Sequence, residues 1–185
     1  MPTYTFTEAD FKAANDAWGC NCGPSALAFA LQIGLEQVRA ALPAFEARGY
    51  VNPTMMREAL ATLGRRIEIV RNPSGGRNRG YGIDTMFAGP MSLVRIQWTG
   101  PWTSPSNNSS RVAKWAAGQT HWIACWNEGA RMVFDCNSGM TTFEWWESNV
   151  VNAITKTIPR ADGGWFPTNV WRLKQQAANK DGSDG

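Results

Sequence analysis

Residues 18–31 read Trp-Gly-Cys-Asn-Cys-Gly-Pro-Ser-Ala-Leu-Ala-Phe-Ala-Leu, a short turn followed by an apolar run of strong helix formers. Pro24 suits the first position of a helix, where its missing N–H has no structural cost, and Gly34 is placed to end that helix. Because the run is apolar on every side, it predicts a buried helix with Cys22 at its N-terminal end. The positive end of a helix dipole lowers the pKa of a thiol, so this end favours a reactive cysteine.

The length and composition predict one globular domain over residues 1–174 and a flexible polar tail over residues 175–185. The chain has 185 residues, of which 43% are hydrophobic and 18% are charged. Its formal net charge of +3 is spread along the chain, so we expect no nucleic-acid binding. The first residues lack an apolar leader and no stretch is long enough to cross a bilayer, so we expect a cytoplasmic protein with no membrane contact.

Residues typical of helix ends predict further helices in the N-terminal third of the chain. A helical turn is expected near 7–14, and a helix is expected from Leu35 to Leu42. Asn52 and Pro53 have the residue types of an N-cap and a first helical position, and Gly64 follows the last turn.

Alternating apolar residues predict strands after Gly64. We expect strands near 67–71 and at 91–98, with polar loops at 72–82 and 99–110 that flank any cleft. Residues 121–126 and 130–135 predict a hairpin. Together with the helices, these strands indicate an α+β fold in which N-terminal helices pack on an antiparallel sheet.

Two hairpin registers follow from this reading. If Trp126 faces Ala130, His121 lies opposite Asp135 on the same face of the sheet. If Trp126 faces Arg131 instead, His121 and Asp135 point to opposite faces. The first register is favoured because it places a glycine at the end of the loop.

The only histidine in the chain limits the chemistry open to Cys22. A cysteine becomes a useful nucleophile when an imidazolium stabilises its thiolate, so a Cys–His pair here requires His121. A carboxylate at Asp135 would hold the imidazole tautomer, and Asn137, two residues further, is the alternative orienting residue.

The motif Cys22-Gly23-Pro24-Ser25-Ala26-Leu27, followed in order by His121 and Asp135, resembles that of the papain-like cysteine proteases. It is most similar to the bacteriocin-processing (double-glycine) peptidase branch of bacteria and phages. The resemblance spans about residues 15–137 and implies a papain-like fold with a Cys-His-Asp triad. It further implies hydrolysis of a peptide or isopeptide amide through a thioester, a protein or peptide substrate, and no cofactor or metal.

One position departs from that family's pattern. Family members usually carry a glutamine six residues before the nucleophile, where it donates to the oxyanion, whereas this chain has Asp16. The amide of Asn15 is the alternative side-chain donor, beside the backbone N–H of Cys22.

Three alternatives remain beside the hydrolase. The same pair serves a thiol acyltransferase or transglutaminase-like enzyme, and Asp16 favours a non-catalytic papain-like binding or effector protein. A zinc site is the third, although its spacing is poor for structural zinc. Its candidate ligands are Cys20, Cys22, His121, Cys125 and Cys136.

Overall fold

The computed structural model describes residues 5–70, 82–101 and 119–174. The tail predicted at 175–185 lies outside the described residues, as do most of the predicted loops at 72–82 and 99–110.

The N-terminal part of the chain is helical. Within residues 5–70 it forms α1 (Glu8–Trp18), α2 (Cys22–Leu31), α3 (Leu35–Ala41), α4 (Phe45–Arg48) and α5 (Pro53–Thr62). The predicted caps of α5 are confirmed, since Asn52 accepts a hydrogen bond from the Met55 N–H and Gly64 has a positive φ of 65°. Helix α1 extends four residues beyond the expected turn at 7–14.

Helix α2 differs from its predicted bounds at both ends. Its first residue is Cys22, so Pro24 occupies the third position, still within the first turn where a missing N–H is tolerated. Gln32, with φ 54°, takes the left-handed cap at the C-terminal end. Gly34 instead precedes α3 as its N-cap.

Within the described residues, six strands form one antiparallel sheet in the order β1-β6-β2-β3-β4-β5. They are β1 (Ile67–Ile69), β2 (Met91–Trp98), β3 (Thr120–Asn127), β4 (Arg131–Asp135), β5 (Gly139–Thr142) and β6 (Trp165–Leu173). Helix α6 (Ile83–Met86) precedes β2, and a helical segment connects β5 to β6. That segment consists of α7 (Phe143–Trp145), the π-helix π1 (Trp146–Val151) and α8 (Asn152–Thr157).

The sheet has a hydrophobic core on each face. One core joins the N-terminal helices to Leu93, Trp122 and Ala124, and within it the rings of Phe29 and Phe134 stack 4.3 Å apart. The other core lies between α6, the 143–157 segment and the opposite side of the same strands. This arrangement confirms the α+β class, with N-terminal helices on an antiparallel sheet.

The hairpin register differs from both predicted ones. Asn127 pairs with Arg131 and Trp126 with Met132, so the loop is residues 128–130 with Gly129 at its centre in the left-handed region. The strands are therefore shifted by two residues from the favoured register. An even shift preserves the face on which each side chain lies, so His121 and Asp135 still share one face, as diagonal rather than directly opposed neighbours.

In the described ranges, none of the helices combines the length and the apolarity that crossing a bilayer requires.

Candidate active site

Cys22 is the first residue of α2, and local contacts fix the helix end around it. The side chain of Asn21 caps the helix by accepting a hydrogen bond from the Gly23 N–H and donates to the Gly49 carbonyl. As the first helical residue, Cys22 has a backbone N–H with no acceptor inside the helix. The helix therefore presents both a partly exposed thiol and a backbone donor at its positive end.

Gly23 allows this helix end to approach the neighbouring chain closely. A Cβ at this position would lie 2.6 Å from Cγ2 and 2.8 Å from Cβ of Val51. Val51 in turn accepts, through its carbonyl, a hydrogen bond from the indole N–H of Trp122 on β3. The glycine thus lets α2 pack closely against the segment that is bonded to β3, the strand that carries His121.

His121 lies near the start of β3 with only 8% of its surface exposed. Its Nε2 is 2.8 Å from Oδ2 of Asp135, and its charge interacts with the Cys22 thiol. Since Asp135 engages Nε2, Nδ1 is the nitrogen left to face the sulfur. The backbone N–H of Trp122 also acts to lower the pKa of Cys22.

Asp135 is the last residue of β4 and is completely buried. Each of its two carboxylate oxygens accepts two hydrogen bonds. Its Oδ2 accepts from His121 Nε2 and from the indole N–H of Trp146, both at 2.8 Å. Its Oδ1 accepts from the backbone N–H and the side-chain amide of Asn137, both at 2.9 Å. Four donors on a buried carboxylate fix its orientation and keep it ionised.

The electrostatics of the three groups favour an ion pair. Burial acts to raise the pKa of Cys22, but the adjacent His121 cation, its hydrogen bond and the Trp122 N–H together bring it below the ordinary value. Burial acts to lower the pKa of His121, but the Cys22 thiolate and Asp135 raise it to about 10. The pKa of Asp135 is lowered, because His121 and the donated hydrogen bonds outweigh burial. Both shifts favour the thiolate–imidazolium form of the pair over its neutral form.

The other three cysteines have the opposite electrostatics. Burial raises the pKa of Cys20 to about 12, and it raises the pKa of Cys125 and of Cys136. Cys22 is therefore the one cysteine of the four with an activated thiol.

The orienting and oxyanion candidates have different positions from those expected. Asn137 contacts Asp135 rather than His121, so it supports the orienting group instead of replacing it. The side chain of Asp16 is 61% exposed and pairs with Lys12, and no described contact connects it to Cys22. The amide of Asn15 donates to the Cys20 carbonyl at 2.6 Å, within the turn that precedes Cys22. Of the predicted oxyanion donors, the Cys22 N–H is the one at the N-terminus of α2, beside the thiol.

A groove of about 740 Å³ opens on the pair. Cys22 and His121 lie in its lining together with Val150 and Ile154, from the 143–157 segment, and with Trp145, which is 49% exposed. The groove therefore runs between the N-terminus of α2 and this segment.

The five cysteine and histidine residues considered for zinc do not converge. Cys20 lies in the core on one face of the sheet and Cys125 in the core on the other. His121, Asp135 and Cys136 do lie close together, with ligand atoms within 4.8 Å of one another.

Several site residues carry no recognisable pattern in the sequence. Trp146 donates to Asp135, although the aromatic stretch around it indicates only packing or shielding. Arg95 is opposite Trp122 on β2, and its Nη2 donates to Thr120, next to His121. Its charge interacts with Cys22 across that strand pair. Only the strand pairing, which the sequence does not specify, brings this arginine to the site.

Comparisons with known proteins add no relative: no protein-family model matches the chain, and neither does any curated protein or solved structure.

Proposed function

We propose that this protein is a cysteine hydrolase that cleaves a peptide or isopeptide amide with Cys22, His121 and Asp135. The observation that carries the proposal is that the thiol at the start of a buried helix interacts electrostatically with an imidazole whose Nε2 lies 2.8 Å from a buried carboxylate. The same order of residues, with the nucleophile at the start of a buried helix, supports a papain-like fold.

The reaction begins with attack of the Cys22 thiolate on the substrate carbonyl. The C–S bond forms, and the Cys22 N–H at the helix terminus donates to the developing oxyanion. The imidazolium of His121 then gives its proton to the leaving nitrogen as the C–N bond breaks. This step releases the amine and leaves a thioester on Cys22.

Hydrolysis of the thioester returns the enzyme to its starting state. Neutral His121 takes a proton from water, which attacks the thioester carbonyl, and the thiolate leaves as the C–S bond breaks. Asp135 remains ionised throughout and stabilises the imidazolium each time it forms. Its four hydrogen bonds prevent it from rotating away from Nε2.

The test is to incubate the protein with a proteome-derived peptide library and to identify new N-termini by mass spectrometry. We expect cleavage by the wild type and by Ser138→Ala, a control in the lining of the same groove. Cys22→Ala and His121→Ala should be inactive while retaining the wild-type circular dichroism spectrum. An acid quench should trap an acyl group on Cys22. Cleavage by Cys22→Ala would refute the proposal.

The exposed position of Asp16 favours a second candidate, a non-catalytic binding protein with the same fold. Such a protein would retain peptides without cleaving them, and retention would not depend on the Cys22 thiolate. A thiol acyltransferase is separated from both by adding amine acceptors to the library, because it would yield peptide–amine conjugates in place of free carboxylates.

A further inference from the structure

The helical segment between β5 and β6 supplies one wall of the groove that opens on Cys22 and His121. The side chains of this wall recur at intervals of four and five residues, the spacing that brings side chains to one face of α and π turns. They are Trp145, Asn149, Val150, Ala153, Ile154 and Thr157. The proposed mechanism uses none of them.

Local hydrogen bonds fix the backbone of Trp145 at the start of this wall. Its N–H donates to Oγ1 of Thr142 at 3.3 Å, and its carbonyl accepts from the Asn149 amide at 2.8 Å. The next residue, Trp146, is buried and donates its indole N–H to Asp135. Because consecutive residues of a helix point about 100° apart, one tryptophan reaches the buried carboxylate while the other lines the groove. The bond of Trp146 thus fixes the wall relative to the catalytic pair.

The wall presents an apolar surface that the rest of the described chain leaves partly uncovered. Trp145 is 49% exposed, Ala153 is exposed and Ile154 is half-buried, and all three line the same groove. Several apolar side chains exposed together are typical of a binding site, whereas a single one is not informative. Tryptophan offers a large contact area and is enriched among the residues that dominate binding energies.

The charges of the lining favour an uncharged occupant. Among the described residues that line the groove, none is Lys, Arg, Asp or Glu, and the charges of Cys22 and His121 act on each other. A charged side chain against the wall would lose hydration without gaining a partner of opposite charge. An apolar side chain would instead remove its own surface and that of Trp145 from water.

We propose that Trp145 and Ile154 form a specificity subsite that binds an uncharged, apolar side chain of the peptide substrate close to the cleaved amide. This inference rests on the proposed function, because the groove receives a substrate only if Cys22 is the nucleophile. The subsite selects the substrate and takes no part in proton transfer. Peptides with Leu or Phe at the position that meets the wall are therefore the preferred substrates.

The test is a positional-scanning library of blocked decapeptides, in which each position in turn is fixed as Leu, Phe, Ser, Asp or Lys. At one position near the cleaved amide, the wild type should cleave the Leu and Phe peptides at least about tenfold faster than the Asp and Lys peptides. Trp145→Ala should reduce that preference by at least about fivefold, and Trp145→Phe should keep most of it. Ile69→Ala, which removes a 51% exposed apolar side chain on β1 outside the groove lining, is the matched control and should keep it fully.

Two further readouts separate loss of a substrate contact from damage to the catalytic pair. The pH midpoint of Cys22 alkylation by iodoacetamide should be the same in Trp145→Ala as in the wild type. Retention of the library on immobilised Cys22→Ala protein needs no catalysis, and it should be enriched in Leu and Phe peptides unless Trp145→Ala is added.

The outcomes distinguish the subsite from the hydrolase. Cleavage or retention with the same residue preference in the presence and absence of Trp145→Ala would overturn the subsite alone, as would a wild-type preference for Asp or Lys. Retention of apolar peptides that depends on Trp145, in a wild type that cleaves none of them, would refute the hydrolase and leave a peptide-binding groove. Neither cleavage nor retention of any peptide would overturn both.

Discussion

Replacing Asp135 by asparagine tests how much of the Cys22 activation comes from the buried carboxylate. The carboxylate accepts two hydrogen bonds on each oxygen, from His121 and Trp146 on Oδ2 and from Asn137 on Oδ1. Asparagine has one acceptor oxygen and one amide donor in the same space. Whichever way the amide is oriented, its N–H₂ group faces two donors that bind a carboxylate oxygen in the wild type. In both orientations the negative charge behind the imidazole is lost.

The size of the effect follows from the pKa of His121. A rise from 6.5 to about 10 corresponds to about 5 kcal/mol in favour of the imidazolium. Asp135 is one of the groups that raise that pKa, and its hydrogen bond to the imidazolium, a bond between charged groups, is worth about 2 kcal/mol. The loss of about 2 kcal/mol lowers the equilibrium constant between the thiolate–imidazolium pair and the neutral pair by roughly thirtyfold.

The assay is the rate of alkylation of Cys22 by iodoacetamide over a range of pH, with each cysteine quantified by peptide mass mapping. The pH at which the rate at Cys22 reaches half its maximum should rise by about 1.5 units in Asp135→Asn. Asp84→Asn is the matched control, since it changes an exposed, ion-paired aspartate outside the site and should leave that pH unchanged. An unchanged midpoint in a folded Asp135→Asn protein would refute the electrostatic argument.

Three further predictions concern the surroundings of the pair. Gly23→Ala should lower the free energy of unfolding in urea by about 1–3 kcal/mol, because the 2.6 Å contact with Val51 outweighs the gain of about 1 kcal/mol in helix propensity; a more stable variant would contradict this. Trp146→Phe removes one charged hydrogen bond and should destabilise the fold by about 1.5–3 kcal/mol while slowing alkylation of Cys22; unchanged stability would show that the bond is not formed. The lowered pKa of Asp135 gives stability that is fully present above its ordinary value of 3.8 and is lost as the pH falls through the folded value. Wild-type stability in urea should therefore fall more steeply in acid than that of Asp135→Asn, and parallel acid limbs would contradict the assignment.

The sequence predicted those parts of the fold that local chemistry controls. Helix α5 is bounded by Asn52, Pro53 and Gly64, each of which acts within one turn of its own position. The sheet face on which each hairpin side chain lies could also be predicted from the sequence, because side chains alternate between the two faces along a strand. These local rules place Cys22 at a helix start and His121 on the same sheet face as Asp135.

Features that depend on contacts between distant segments of the chain could not be predicted from the sequence. β6 has no clean alternation of buried and exposed residues, and it lies second from one edge of the sheet, where it pairs with both β1 and β2. The hairpin register was wrong by two residues because Gly129 lies at the centre of the loop rather than at its end. The contacts of Asn137 and Trp146 with Asp135 depend on how the chain turns after β4, which periodicity does not encode.

The proposed hydrolase requires Cys22 and His121 to exist as a thiolate–imidazolium pair. A pH titration of thiolate ultraviolet absorbance, taken as the difference between the wild type and Cys22→Ala, measures the pKa of that one thiol. We expect a pKa below the ordinary cysteine value of about 8.5, and a return toward that value or above it in His121→Ala. A Cys22 pKa at or above the ordinary value in the wild type would contradict this pairing.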